Sequence, residues 1–313
     1  MKKEYVESIT REELEVMYEN LTIKDDFIFG KVMENKENCV EMLERLTGNR
    51  ISGNISINNQ KAIKVAVDGK GVRYDVYVEV DARVMYDAEM QQEKNKSILP
   101  KRSRFYQGLM DLGYLETGDE YVELADSYVI FICTFDPFDE GLCCYEFENH
   151  CDGHEGIGDI PLGDGRKILI YNTKGTVVNV SPEVYSFLCY IEDGKMRDEY
   201  TKRLNSSVAM ARHNRKWRVE YMKTFVHDMD VRREGRIEGR IEGRQEGRQE
   251  GRLLTIISMI CTKLRKGKSI EIIVDEMEED ISKVTNICEL ALEYAPDFDE
   301  NKVWEAYVYK YMD

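Results

Sequence analysis

The sequence predicts a mixed α/β domain followed by a purely helical extension. Three observations carry this. Residues 51–91 alternate with period two and are rich in valine and tyrosine, the pattern of half-buried strands. Helical periodicity flanks that block, and the apolar run Tyr128–Cys133 (YVIFIC) has the length of a buried strand. From Ser181 onward the pattern is helical, apart from a four-residue glycine repeat.

The elements follow in order. Thr10 and Glu13 fit a capping box at the start of the first helix. A second helix is expected over about 26–33. A third, over about 37–46, presents Val40, Leu43 and Leu46 on one face and stops near Gly48. Ile51, Ile55 and Ile57, then Ile63, Val65 and Val67, suggest two short strands. Two longer strands, 72–80 and 84–91, are joined through Asp81-Ala82-Arg83. A helix over 98–112 leads to the YVIFIC strand. A hairpin around 143–149 and a strand over 167–171 complete the sheet. Ser181-Pro182 supplies an N-cap and first helical residue for a helix over 182–192, and a long helix begins near Met196.

Residues 234–252 read EGRIEGRIEGRQEGRQEGR. In a helix the five glycines form a drifting stripe, because four residues advance about 400°. They cost about 5 kcal/mol against alanine. The Glu and Arg rows lie two apart, so no i,i+4 ion pair offsets that cost. Either the stripe packs on another helix or the segment is a flexible linker. Amphipathic helices return at 253–264, 269–278, 281–294 and 301–311, with Ser269 and Asp280 as N-caps. Residues 271–313 hold three Lys/Arg against thirteen Asp/Glu. That acidity argues against DNA binding by their helix–turn–helix rhythm, since phosphate contacts dominate affinity. The expected organisation is an α/β domain over 1–180, a helical extension with the glycine–charge repeat over 181–252, and an acidic helical module over 253–313.

Composition narrows the function classes. A chain of 313 residues with 44 Lys+Arg against 60 Asp+Glu carries a net charge of −16. It does not coat nucleic acid or anionic membrane non-specifically, so any nucleic-acid contact needs a local basic face. No apolar run reaches the ~18 residues of a membrane span, and residues 1–10 lack the apolar core of a signal peptide. Eight cysteines scattered through apolar patterns suit reduced thiols, hence a cytoplasmic protein.

The sharpest chemical feature is Arg73-Tyr74-Asp75 followed by Glu89-Met90-Gln91. Glu89 and Gln91 leave the same strand face. If the hairpin turns about residue 82, Asp75 lies opposite Glu89. Like charges placed so are destabilising unless a cation relieves them, and oxygen ligands suit Mg²⁺. Such a site polarises a phosphodiester and activates water. The bland alternative is the solvent face of an amphipathic hairpin.

With these residues the chain resembles the Rpn family of recombination-promoting nucleases, also described as transposases, within the PD-(D/E)XK nuclease superfamily. DDFIFGKVM (Asp25–Met33) resembles the family's opening helix. RYD (Arg73–Asp75) and EMQ (Glu89–Gln91) resemble its D…ExQ pattern. RFYQ (Arg104–Gln107), GDEYVEL (Gly118–Leu124), YVIFICTFDPF (Tyr128–Phe138) and YNTKG (Tyr171–Gly175) fit the blocks downstream. The EGR-x repeat resembles the glycine–charge repeats common near the ends of these proteins. The likeness covers about 24–175 well. It implies a restriction-endonuclease-like mixed sheet flanked by helices and metal-dependent DNA endonuclease activity. It also implies Asp75 and Glu89 as ligands of Mg²⁺ or Mn²⁺. Gln91 stands where much of the superfamily has lysine. Its amide orients water but supplies no charge, so a cation from elsewhere is expected, Lys94 being nearest in sequence. Position 105 is Phe where the family often has Tyr, so Tyr106 is carried over instead.

Lys94, Lys96, Lys101, Arg102 and Arg104 follow the proposed site without an intervening acid but Glu93 before them. Lys94, Arg102, Arg104 and Tyr106 are the expected DNA contacts; a solvated helix face is the alternative. Asp26 or Glu41 would be an extra carboxylate, with Glu79 and Asp81 less favoured. Cys143, Cys144, His150, Cys151 and His154 lack zinc-site spacing. No P-loop or G-x-S-x-G motif occurs. The competing function is a catalytically weak DNA-binding or oligomerising module with a degenerate nuclease site. In either case the C-terminal helices are expected to pair copies of the chain.

Overall fold

The structure, a computed structural model, describes residues 9–59, 61–63, 71–92, 96–115, 118–153 and 158–311. The chain divides into two compact units, Met1–Thr224 and Phe225–Asp313.

The first unit opens with three helices, α1 (Arg11–Glu19), α2 (Asp26–Met33) and α3 (Lys36–Thr47). The Thr10–Glu13 capping box is present, and α3 ends at Gly48 in the left-handed conformation. Next come β1 (Ile55–Asn59), β2 (Ala62–Ile63), β3 (Val72–Arg73), β4 (Val76–Val80) and β5 (Val84–Gln91). Helix α4 (Leu99–Leu112) leads to β6 (Asp126–Cys133), β7 (Cys144–Phe147), β8 (His150–Cys151), β9 (Ile160–Pro161) and β10 (Arg166–Asn172). Helices α5 (Pro182–Asp193) and α6 (Glu199–His213) close the unit. Six strands form one sheet in the order β1-β4-β5-β6-β10-β7. β5, β6 and β10 are parallel and the outer pairs antiparallel. This is the mixed sheet flanked by helices that the sequence resemblance implies.

Strand parity sorts the side chains into two cores. Val76, Val78, Tyr86, Ala88, Met90, Ile130 and Ile132 face a layer built with α2, α3, α5 and α6. Tyr77, Met85, Val129, Phe131 and Cys133 face α4, through Leu99, Tyr106, Leu109 and Met110. Glu89 and Gln91 share the parity of Met85, so both point to the α4 side.

Three expectations need correction. The strand expected over 72–80 is broken at Tyr74-Asp75. There the Asp75 amide donates to a side chain, Glu89 Oε1, instead of a ladder carbonyl. Residues 143–149 do not form a hairpin: β7 adds to the sheet edge beside β10, and the hairpin is β8 with β9. The helix expected from Met196 starts at Glu199, capped by Asp198, and stops at Asn214. Val65 and Val67 lie outside the described residues.

Helix α7 (Arg215–Arg265) contains the whole glycine repeat. Residues 233–252 are exposed, and a Cβ added at any of the five repeat glycines meets nothing within 4 Å. The segment is therefore helical, and the stripe packs on no described residue of its own chain. The second unit has its own core. Leu253, Ile257 and Ile260 of α7 pack with Ile273 of α8 (Ile270–Glu276), Ile287 of α9 (Ile281–Glu293) and Val303 of α10 (Glu300–Tyr311). No described helix is long and apolar enough to cross a membrane.

Candidate active site

The β4–β5 hairpin sets the site. Val76 pairs with Ala88 and Val80 with Val84, so the ladder turns about residue 82 and brings Asp75 level with Glu89. The two are stitched by their own backbones. The Asp75 amide donates to Glu89 Oε1 at 2.8 Å, and the Met90 amide donates to Asp75 Oδ2 at 3.1 Å. Glu89 is 1% exposed. Burial first, then the facing Glu89 and Asp26, hold the Asp75 carboxyl well above the usual range. Burial also raises Glu89, opposed by the Asp75 amide and by Arg102.

Arg102 reaches this pair from α4. Its Nη2 donates to Glu89 Oε2, its Nη1 to Gln91 Oε1 and its Nε to the Tyr106 hydroxyl, each at 2.8 Å. The guanidinium carbon lies 4.8 Å from the Tyr106 ring centre and 5.6 Å from that of Phe131. A fork that bridges a carboxylate and an amide while resting on aromatic faces is held by every feature that distinguishes arginine from lysine. Tyr106 is buried, and its carbonyl accepts from the Tyr74 hydroxyl at 3.0 Å. It therefore supports Arg102 from below.

A third acid belongs to the cluster. Asp87 shares the parity of Glu89 and Gln91 and is fully buried. It lies close enough to Glu89 and Asp75 for their charges to act on it, yet neither of its oxygens has a hydrogen-bond partner of ordinary geometry. Burial, then Glu89 and Asp75, push its carboxyl well above the usual range. The same-face spacing 87-89-91 is the sequence signal that marks it, although Asp87 is absent from the carboxylates expected above, of which Glu79 and Asp81 are the less favoured. Those two are engaged elsewhere. Glu79 pairs with Lys61 at 2.8 Å, and Asp81 accepts from the Asn54 amide at 2.7 Å. Glu41 also lies elsewhere, ion-paired to Arg45 and Arg203 between α3 and α6.

Of the expected DNA contacts, Arg102 and Tyr106 join the carboxylates. Arg104 is exposed, two residues and about 200° around α4 from Arg102. Lys94 lies outside the described residues. Lys96 is ion-paired to Asp139.

The donor chemistry fits a hard divalent cation. Asp75 and Glu89 offer carboxylate oxygens and Gln91 an amide oxygen. Burial together with the neighbouring acids disfavours the charged forms of the two carboxyls, which a bound cation would reverse. Among the described residues no three His, Cys, Asp or Glu side chains form a metal cage by themselves. Two carboxylates with water and substrate filling the other positions is a Mg²⁺ style of binding. The cysteines are free thiols, and His154 of the Cys/His group lies outside the described residues.

A family model described as PD-(D/E)XK nuclease family transposase matches residues 24–150. The match spans α2 through β7 and includes Asp75, Glu89, Gln91, Arg102 and Tyr106. Among curated proteins and among solved structures nothing matches.

Proposed function

We propose, for a chain whose residues 24–150 carry a PD-(D/E)XK nuclease family transposase domain, that the hairpin site makes it a metal-dependent DNA endonuclease. The observation that carries this is the pair Asp75–Glu89, the half-buried Asp75 bonded side by side to the buried Glu89, both with raised carboxyls and with Gln91 on the same face. Asp75 and Glu89 would hold Mg²⁺ or Mn²⁺, which when bound polarises a phosphodiester and makes water a better nucleophile. Gln91 positions that water through its amide. The backbone bonds between the two strands fix both carboxylates before substrate arrives, so little reorganisation remains for the reaction. Arg102 and Arg104 are the described basic side chains of α4 proposed to meet phosphates, with Lys94 a further candidate from the sequence. The proposed compartment is the cytoplasm.

A specific observation also favours the second reading, a DNA-binding module with a degenerate site. Arg102 already occupies one oxygen of Glu89 and that of Gln91. One experiment separates the two. Supercoiled plasmid is incubated with the full chain and Mg²⁺ or Mn²⁺, against EDTA, Asp75→Asn and Glu89→Gln. Nicking that requires metal is expected. Either substitution should lower its rate by more than the ~10–100-fold cost of losing an outer-shell partner. DNA binding without nicking, under every metal tried, would leave the binding module.

A further inference from the structure

Resting on the nuclease reading above, the geometry points to Arg102 as an exchangeable cation. It holds Glu89 and Gln91 until a divalent ion takes those oxygens, and its charge is then carried to the substrate phosphate.

The argument begins with charge. Asp75, Asp87 and Glu89 crowd one strand face and Gln91 brings no charge, so the cluster needs a cation. Among the described residues Arg102 is the cation that acts on all three, lowering each. It does so through Glu89 Oε2 and Gln91 Oε1, both of which the D…ExQ pattern reserves for metal and water. A guanidinium and a divalent ion cannot share these oxygens, because like charges at contact distance repel strongly in so dry a place. Binding of one must loosen the other.

The side chain is built to let go at its tip while staying put at its root. Glu89 is buried, but Arg102 keeps 29% of its side chain exposed. Of the two partners, Arg102 is the one that solvent, and a phosphate arriving from it, can reach. Its Nε bond to the Tyr106 hydroxyl and its seat on the Tyr106 and Phe131 rings do not depend on Glu89 or Gln91. When a metal claims the two oxygens, Nη1 loses its partner and Nη2 keeps only its bond to the Tyr106 hydroxyl, which leaves one N–H on each to turn outward as a fork. Such a fork matches two phosphate oxygens. The positive charge that Gln91 cannot supply then comes from the next helix rather than the same strand.

The test is calorimetric titration of Mn²⁺ into the full chain at pH 8, for wild type, R102A and R102K, with plasmid nicking measured in parallel. R102A is expected to bind Mn²⁺ about tenfold tighter, the order of one charge-assisted hydrogen bond no longer competing. Its nicking rate should fall about a hundredfold or more. Tighter metal with poorer cleavage is a pair of changes that a packing role does not produce. R102K keeps a charge but cannot bridge both oxygens, so it should bind Mn²⁺ more tightly than wild type and retain part of the nicking. It carries the measurement if R102A does not fold by circular dichroism. Unchanged or weaker Mn²⁺ binding in these variants, with wild type nicking normally, overturns the exchange and leaves the nuclease reading intact. Tighter Mn²⁺ binding in R102A with no cleavage by wild type overturns the nuclease reading and the phosphate half of this inference.

Discussion

Asp87 is the residue whose cost is easiest to measure. A carboxyl buried beside Glu89 and Asp75, as Asp87 is, stays protonated where a solvated one has ionised. The folded protein therefore holds a proton that the unfolded chain has lost. The stability tied to that proton is complete below the usual aspartate pKa of about 3.9. It drains away as pH climbs through the raised value. The metal-free midpoint of thermal unfolding should thus fall between pH 5 and pH 9. Asp87→Asn, which cannot ionise, should match wild type near pH 5 and unfold about 2–4 °C higher at pH 9, or ~1 kcal/mol. Parallel pH profiles for the two proteins would sink the idea. The acid was legible in principle, since residues 87, 89 and 91 must share a face. Its burial was not, because that depends on α4 covering the face. The same holds for Arg102. Its charge could be read from the sequence, but its reach to Glu89 is set by how α4 lies against β5 and β6.

At the scale of elements, the hairpin was the most legible part. A turn centred on residue 82 fixes every pairing, and Val76 with Ala88 obeys it. The break at Tyr74-Asp75 was not legible, because it comes from a backbone amide choosing a carboxylate over a carbonyl. The glycine repeat was undecided for a different reason. Propensity opposes a helix there by about 1 kcal/mol per glycine, while the flanking helical patterns in the sequence favour one. The structure is helical through the repeat, and each glycine faces open space. Alanine should therefore fit without a clash. The triple variant Gly239→Ala, Gly243→Ala, Gly247→Ala is expected to raise helical ellipticity. It should slow amide exchange across 234–252 by an amount approaching ~1 kcal/mol per site. Loss of helix on substitution would show that the stripe is occupied by a close partner.

At the scale of the whole molecule, two units with separate cores imply two separately addressable stabilities. The first is built around the six-stranded sheet and contains the candidate site. The second is built from α8, α9, α10 and the end of α7. The bounds of α8, α9 and α10 were legible to within two residues, α9 through its Asp280 cap, but the helix expected over 253–264 is the end of α7, because the glycine repeat before it stays helical. A ligand of one fold stabilises the unit that binds it, by an amount set by its concentration over its dissociation constant. Differential scanning calorimetry of the full chain should accordingly resolve two transitions. Mn²⁺ should raise one of them, and Asp75→Asn should abolish that rise. Ile260→Ala removes a fully buried side chain from the second core and should cost about 2–5 kcal/mol there. It should lower the other transition and leave both the Mn²⁺ shift and plasmid nicking as they are. A single transition moved by both Mn²⁺ and Ile260→Ala would mean that the acidic helical unit and the metal site unfold as one cooperative body. The helical unit would then have to be counted as part of what holds the carboxylates in place.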